Sequence, residues 1–427
     1  MKTTKFKPSE VGPVPVEWDV KLFTECFTLM RNNTYSRESM TDLPGKVANV
    51  HYGDVLIKYG AVLDFEKDDV PYLKPGVQPN KDILKNGDLI FADTAEDETA
   101  GKAVEVQGVR PKMAVAGLHT VACRPQEGVF APRYLGYYIN SAAYHNQLLP
   151  LMTGTKVTSV SRAGFVSTSV AIPPKPEQEK IAEALSDVDE LLAAMTTLIK
   201  KKQAIKQGTM QQLLTGKKRL AEFSGKWVEK RLGDCALIKA RIGWQGLTTA
   251  EYLKNGPYYL ITGSDFKDGR INWSQCYFVD KARYDQDKYI QIKKDDVLVS
   301  KDGTIGKVAF LDDVPGEGTL NSGVFVIRST DKMIDQPYLA WVFLSRWFDD
   351  FIDRLVAGST IVHLYQKDIV GFEFPVPPTL AEQKAIAAVL SDMDAEIASL
   401  ESKRAKYESI KQGMMQELLT GKTRLED

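Results

Sequence analysis

A glycine-containing turn in the C-terminal half of the sequence carries the residue types that contact phosphate. Lys301, Thr304 and Lys307 lie within residues 300–307, directly after a predicted buried strand. Lysine charge, threonine hydroxyls and backbone amides on an open loop are the groups with which proteins contact nucleic-acid phosphates. The turn therefore predicts a DNA contact. For each residue, an ordinary solvated surface side chain is the alternative that the sequence leaves open.

Further residues with the same chemistry occur in both halves of the chain. Lys239 and Arg241, with Trp244 nearby, form a second basic cluster, and arginine can read guanine through two parallel hydrogen bonds. Residues 154–157 and 358–361 form matching short loops. The counterpart of the first turn, residues 93–102, is longer and acidic, so the two halves are expected to read different surfaces. The predicted DNA-contacting residues are Lys102, Thr155, Lys156, Lys239, Arg241, Lys301, Thr304, Lys307, Ser359 and Thr360.

The sequence shows no pattern that assembles a catalytic centre. Residues 303–307 lack the spacing of a phosphate-binding loop, and there is no Asn-Pro-Pro-aromatic tetrapeptide of an amino-methyltransferase. A Gly-x-Ser-x-Gly elbow and a His-Glu-x-x-His pair are also absent. The histidines are isolated, and each is expected to be a surface or core residue. We therefore predict a non-catalytic chain with no catalytic, cofactor-binding or metal-binding residues of its own.

Composition narrows the class further. The 427 residues carry a net charge of −1, so any DNA binding must use local basic faces or partners that add charge. Four scattered cysteines without Cys-x-x-Cys spacing suit a reducing cytoplasm and argue against a structural zinc site or a disulfide framework. Neither a signal peptide nor a membrane span is evident, so a cytoplasmic location is predicted.

The elements that must position these residues are visible as a long internal repeat. The segment that begins at Glu177 recurs at Glu382, an offset of 205 residues (382 − 177), and includes Leu-Leu-Thr-Gly-Lys near each end. In each copy, proline precedes the predicted helix and Thr-Gly follows it, as expected for helix starts and stops. Within the copies, apolar residues step by alternating threes and fours, which is typical of a coiled-coil seam. The predicted seam is Ile181, Leu185, Val188, Leu192, Met195, Ile199, Ile386, Leu390, Met393, Ile397 and Leu400.

Before each long helix, short β-rich runs separated by glycine turns predict a small module of mixed α/β structure. The expected fold class is α+β, with two such modules separated by two long antiparallel helices that form a coiled coil in a circular, pseudo-twofold arrangement. The expected segments are recognition domains at 1–172 and 223–376 and helical spacers at 173–222 and 377–427.

The blocks Pro-Pro, Glu-Gln, Ile-Ala, Leu-Ser-Asp and Leu-Leu-Thr-Gly-Lys with Arg-Leu occur twice, and in this combination the chain resembles the specificity subunits of type I restriction–modification systems. The resemblance covers essentially the whole length. It implies two target-recognition domains, each reading half of a bipartite asymmetric DNA site. It also implies helices that set the gap and dock two modification (methyltransferase) subunits, with restriction (translocase and nuclease) subunits outside. Adenine methylation with S-adenosylmethionine would then belong to the partner, which would flip the base.

Two other classes remain open from the sequence. A scaffold would use the helices as a coiled-coil adaptor whose end modules bind proteins. A cryptic methyltransferase or nuclease would show activity in the isolated chain. Sequence preference that persists when salt suppresses phosphate attraction would distinguish a DNA reader from a scaffold.

Overall fold

The computed structural model describes residues 4–78, 82–109, 113–243, 246–357 and 363–425. Backbone contacts divide the chain into two compact units, residues 1–196 with 402–427, and residues 197–401. Two helices of 39 residues each contribute to both units: the central helix, Lys175–Leu213, and the C-terminal helix, Leu380–Leu418. We call residues 4–172 the first module and residues 223–376 the second module. The predicted four-segment division stays a prediction.

The first module contains short strands and short helices. Its α-helices are Phe23–Cys26, Tyr52–Ile57, Tyr134–Ile139, Ala142–His145 and Arg162–Val166. Its strands are Phe6–Lys7, Val14–Pro15, Asp19–Leu22, Phe27–Leu29, Met40–Thr41, Val47–Val50, Val62–Asp64, Tyr72–Leu73, Leu89–Ala92, Thr94–Ala95, Ala103–Gln107, Met113–Ala116, Thr120–Pro125, Thr158–Ser159 and Ser169–Ile172. Because buried strands such as Leu89–Ala92 are apolar throughout, they lie inside the sheet with both faces covered.

The second module is built in the same way. Its α-helices are Leu232–Cys235, Lys281–Asp285, Gln336–Phe343, Arg346–Ala357 and Gln366–Ile369. Its strands are Val228–Arg231, Ala236–Lys239, Tyr258–Ile261, Phe266–Lys267, Arg270–Ile271, Tyr277–Val279, Val297–Ser300, Val308–Phe310, Gly318–Leu320, Val324–Ser329 and Glu373–Val376.

The main sheets of the two modules have the same strand order over four strands, and the sheet of the first module has a fifth strand in addition. In the first module the order is Phe27–Leu29, Thr120–Pro125, Leu89–Ala92, Ala103–Gln107, Val62–Asp64. In the second it is Ala236–Lys239, Val324–Ser329, Val297–Ser300, Val308–Phe310. The pairs are antiparallel except that between the last two strands of the first module. The prediction of two related mixed α/β modules with two long helices is confirmed at this level.

The predicted apolar seam of the long helices is buried or half-buried throughout. Part of it packs on the modules, however, because Ile181 and Leu185 lie in the core of the first module together with Leu418 and Leu419 of the C-terminal segment. In the second unit, Ile386 and Leu390 lie in the corresponding core. The start of each helix is thus embedded in a module, a role that the heptad pattern alone did not reveal.

Charged side chains connect the two long helices within each unit. In the first unit, Lys411 Nζ is 2.5 Å from Asp189 Oδ1. In the second unit, Lys206 Nζ is 2.5 Å from Asp394 Oδ1 and Lys202 Nζ is 2.6 Å from Glu396 Oε1. The residue number falls on one helix as it rises on the other, so the segments run in opposite directions in the second unit.

A buried glutamate near the start of each long helix accepts hydrogen bonds from an arginine in the segment that follows the other long helix. Glu177, which is 4% exposed, accepts hydrogen bonds from Arg424 Nε at 2.6 Å and from Trp18 Nε1 at 3.0 Å. Glu382 accepts from Arg219 Nε at 2.8 Å. Trp227 Nε1 is buried without a hydrogen-bond partner among the described residues. The two arginine–glutamate pairs therefore match, whereas the two tryptophans differ.

Candidate nucleic-acid interface

One end of the main sheet of the second module gathers most of the predicted contact residues of that half. Residues 301–307 connect Val297–Ser300 to Val308–Phe310, and the turn uses Gly303 (φ 69°) and Gly306 (φ 81°) in left-handed conformation. Ser300 Oγ donates to the Thr304 carbonyl at 2.6 Å and accepts from Lys307 N at 2.9 Å, which braces the loop from inside. Thr304 and Lys307 are exposed on the loop.

Two lysines lie at the same sheet end, Lys301 in the loop itself and Lys239 at the end of strand Ala236–Lys239. Lys239 lies opposite Val326, a residue that also pairs with Leu298. The Lys239 ammonium is 5.6 Å from the centroid of the Tyr289 ring, and Lys301 is 5.4 Å from that of Phe325. Both lysine heads thus rest against aromatic faces, which restricts their motion.

A second loop lies beside the first. His363 Nδ1 is 2.6 Å from Asp302 Oδ1, and Leu364 N donates to the Lys301 carbonyl at 2.8 Å. The predicted contacts Ser359 and Thr360, like Trp244, lie outside the described residues. Past this loop, Tyr365 is 54% exposed, with Lys367 Nζ 5.5 Å from its ring centroid. Sequence reasoning missed His363, Tyr365 and Lys367, although alternating aromatic and basic residues were a usable signal.

The structure places Arg241 in the interior of the second module. Its side chain is 1% exposed and donates to the Leu320 carbonyl at 2.9 Å, to Gln286 Oε1 at 2.9 Å and to Thr319 Oγ1 at 3.1 Å. Burial lowers the pKa of this guanidinium. Because internal acceptors hold Arg241 in the core, we do not carry the prediction that it reads a base into the proposed interface.

The first module presents the same sheet end. Residues 93–102 connect Leu89–Ala92 to Ala103–Gln107, and Val160 N donates to the Asp93 carbonyl at 2.8 Å. Strand Thr158–Ser159 pairs with Thr94–Ala95, so a second loop again lies beside the first. Thr155 and Lys156 are exposed in that second loop. The structure therefore brings these two residues to the same place in the first module as residues 301–307 and 363–365 occupy in the second.

Lys102 has a structural role in this arrangement. Its ammonium donates to the carbonyls of Leu56 at 2.7 Å and Tyr59 at 3.1 Å, at the end of helix Tyr52–Ile57. Burial lowers its pKa. Cations satisfy the free carbonyls at helix C-termini, so the Lys102 ammonium is held by the carbonyls at the end of this helix.

The loops of the two modules differ in charge, as the sequence predicted. Glu96, Asp97 and Glu98 are exposed in the first-module loop, and Asp97 accepts a hydrogen bond from Thr99 N at 2.9 Å. In the second module the corresponding loop carries Lys301 and Lys307. The same fold thus presents an acidic loop in one module and a basic loop in the other.

The described residues contain no group of three or more His, Cys, Asp or Glu side chains placed to hold a metal ion. Likewise, no helix in the described ranges is long and apolar enough to cross a membrane.

Comparison with known proteins gives the class. A family described as the type I restriction modification DNA specificity domain matches residues 15–207 and again residues 224–411. A putative type I restriction enzyme MjaX specificity subunit of Methanocaldococcus jannaschii is 24% identical, over 99% of this chain and 98% of its own. The StySPI specificity subunit of Salmonella potsdam is 22% identical, over 91% of this chain and 85% of its own.

Solved structures agree in fold. A type I restriction–modification S subunit from M. genitalium has a TM-score of 0.60 at 15% identity, covering 97% of this chain and 98% of its own. A chain from a study of complex assembly and conformational transition of the type I R-M system has a TM-score of 0.53 at 16% identity, covering 96% and 99%. The chain belongs to the type I restriction–modification DNA specificity family. It is a DNA specificity subunit, the non-catalytic recognition component of such a system, as the sequence resemblance implied.

Proposed function

We propose that the two modules read the two halves of one bipartite, asymmetric DNA site. The observation that carries this proposal is that the two main sheets share a strand order and present a pair of neighbouring loops at the same end. Residues 93–102 of the first module are acidic, whereas residues 301–307 of the second module are basic. A common scaffold with different loops suits two different half-sites, since base contacts specify sequence while phosphate contacts set register. The proposed contacts are Thr155, Lys156, Lys239, Lys301, Thr304 and Lys307, with Tyr365 and Lys367 added.

We further propose that the long helices form an antiparallel coiled coil that spaces the half-sites, in a circular, pseudo-twofold arrangement. The supporting observations are the buried seam and the ion pairs between helices within each unit. A rigid spacer makes half-site separation a geometric property of the protein.

The helices are also the proposed docking surface for two modification subunits, with restriction subunits added to that complex. S-adenosylmethionine would be bound by the modification subunit, and the complex would act on DNA in the cytoplasm.

Exchange of one module tests whether each module reads its own half of the site. Replacing residues 223–376 with the module of another family member, in a complex with the modification subunit, should change one half of the methylated sequence and leave the other intact. Single-molecule sequencing of adenine methylation reads both halves and the gap at once. A simultaneous change in both halves would contradict the two-module proposal.

A salt titration tests the loop contacts. If Lys301 and Lys307 each neutralise one phosphate, substituting both with Ala should reduce the slope of log affinity against log salt by about 2. Lys332→Ala is the matched control, because Lys332 is exposed in the same module and follows Ser329 at the opposite end of the sheet. An unchanged slope in the double variant, or an equal change in the control, would remove these residues from the interface. A scaffold that binds only proteins would show no sequence preference at high salt.

A further inference from the structure

A side-chain network within the second unit joins the second module to both long helices. Arg270 follows a turn in which Asp268 (φ 50°) and Gly269 (φ 80°) are both left-handed, between strands Phe266–Lys267 and Arg270–Ile271. Two consecutive residues with positive φ are the mark of a two-residue type I′ hairpin. This short connection limits the directions in which Arg270 can point. The Gly269 carbonyl accepts a hydrogen bond from Phe310 N at 2.9 Å, which ties the turn to the main sheet.

The Arg270 guanidinium bridges a carboxylate of the module and a carboxylate of the C-terminal helix. It pairs with Asp312 through Nη1, and its Nη2 donates to Asp394 Oδ2 at 3.0 Å. Lys206 of the central helix donates to the other oxygen, Asp394 Oδ1, at 2.5 Å. Burial acts to raise the pKa of Asp394, but the hydrogen bonds from Lys206 and Arg270 bring it below its ordinary value. Three elements of the second unit therefore meet at one carboxylate.

The first unit has the same junction with one group exchanged. Lys411 Nζ lies 2.5 Å from Asp189 Oδ1 and 5.6 Å from the centroid of the Tyr137 ring. The second oxygen, Asp189 Oδ2, accepts from the Tyr137 hydroxyl at 2.9 Å. Lys411 corresponds to Lys206, and Asp189 corresponds to Asp394, each at a distance of 205 positions in the sequence. In the second unit, Lys206 faces the ring of Trp341.

Trp341 has no hydroxyl, and its indole Nε1 donates to Ser391 Oγ at 3.1 Å instead. The second oxygen of Asp394 is therefore satisfied from elsewhere in the module, by Arg270. In the first unit the module contacts Asp189 through the Tyr137 hydroxyl. In the second unit the module contacts Asp394 through Arg270, which lies on a hairpin.

We propose that Arg270 is a positioning residue that fixes the second module against the long helices and thereby sets how strictly the complex selects the gap between half-sites. The inference rests on the proposed bipartite reading. Arg270 touches no base in this role. It restricts the orientation of the module relative to the helices, so its loss widens the range of half-site separations that both modules can engage together.

The test uses the full chain in complex with its modification subunit. Methylation sequencing with the wild-type complex first defines the site, and the absence of a bipartite site at this stage would overturn the proposed function itself. Competition binding then compares duplexes with the correct gap, a gap longer or shorter by one base pair, and single base changes in either half. Arg270→Ala should reduce the preference for the correct gap about tenfold and leave the base preferences unchanged.

Two further variants make the outcome decisive. Lys267→Ala removes an exposed charge of the same hairpin and should preserve both preferences. Trp341→Tyr, added to Arg270→Ala, supplies the hydroxyl found in the first unit and should restore gap selectivity. Unchanged gap selectivity in Arg270→Ala, loss of base preference in that variant, or failure of Trp341→Tyr to restore selectivity would each overturn the positioning role.

Discussion

Trp18 and Trp227, which lie near the starts of the two modules, allow a matched measurement of a buried charge-assisted hydrogen bond. Trp18→Phe and Trp227→Phe remove the same atoms, but only Trp18 Nε1 donates to a buried carboxylate, that of Glu177. A hydrogen bond to a charged group contributes about 1.5–3 kcal/mol. Trp227→Phe removes a buried donor that has no partner among the described residues, which offsets part of its packing loss. We expect Trp18→Phe to be the more destabilising change by about 2 kcal/mol.

A double-mutant cycle separates the hydrogen bond from packing. In a Glu177→Gln background, the indole meets a neutral acceptor, so the penalty of Trp18→Phe should shrink by about 1 kcal/mol. The equivalent cycle of Trp227→Phe with Glu382→Gln should show no coupling.

The assay must report on each unit separately, because a single unfolding free energy is poorly defined for a chain with two compact units. Hydrogen exchange followed by mass spectrometry gives local opening free energies for peptides around Glu177 and Glu382. Equal penalties for the two tryptophan substitutions, or equal coupling in the two cycles, would refute the argument.

Three other outcomes are expected. Lys102→Met should destabilise the helix Tyr52–Ile57 by about 1–2 kcal/mol, seen as faster hydrogen exchange there, while the salt slope of DNA binding stays unchanged. Gly208→Ala should raise the local opening free energy of the central helix by up to about 1 kcal/mol, seen as slower hydrogen exchange, because a Cβ at this position meets open space. Faster exchange would contradict this expectation. Burial raises the pKa of Glu105 to about 7 from an ordinary 4.5. The folded state thus keeps a proton that the unfolded state releases, and the first unit should lose up to about 3 kcal/mol as pH rises from 4.5 through 7. Local opening free energies from hydrogen exchange in peptides around Glu105, measured across this pH range, should lack this slope in Glu105→Gln.

The long helices were predictable because their signals are local. Apolar periodicity, preceding prolines and terminal glycines act within a few residues of one another, and the repeat doubles the signal. The exposure of Thr155, Lys156, Thr304 and Lys307 on loops was also predictable, since they follow glycine turns, and their contact with DNA stays a prediction.

Arg241 shows where the sequence is insufficient. Its burial depends on the acceptors Gln286, Thr319 and Leu320, which are 45 or more residues away in the chain. Lys102 similarly meets carbonyls of Leu56 and Tyr59, more than 40 residues earlier. Such partners are set by tertiary packing. In the sequence alone, a basic residue that is held by internal acceptors therefore cannot be distinguished from one that is exposed to DNA.

The composition of the two compact units has a consequence for synthesis of the chain. The second unit is one continuous stretch, residues 197–401, whereas the first needs residues 402–427 in addition to residues 1–196. Because the chain is synthesised from its N-terminus, the first module is made early but lacks Leu418, Leu419 and Arg424 until the segment 402–427 emerges. The N-terminal module would thus be translated first and completed last. Until then, the apolar surface around Ile181 and the carboxylate of Glu177, without its arginine, would stay accessible to chaperones and proteases.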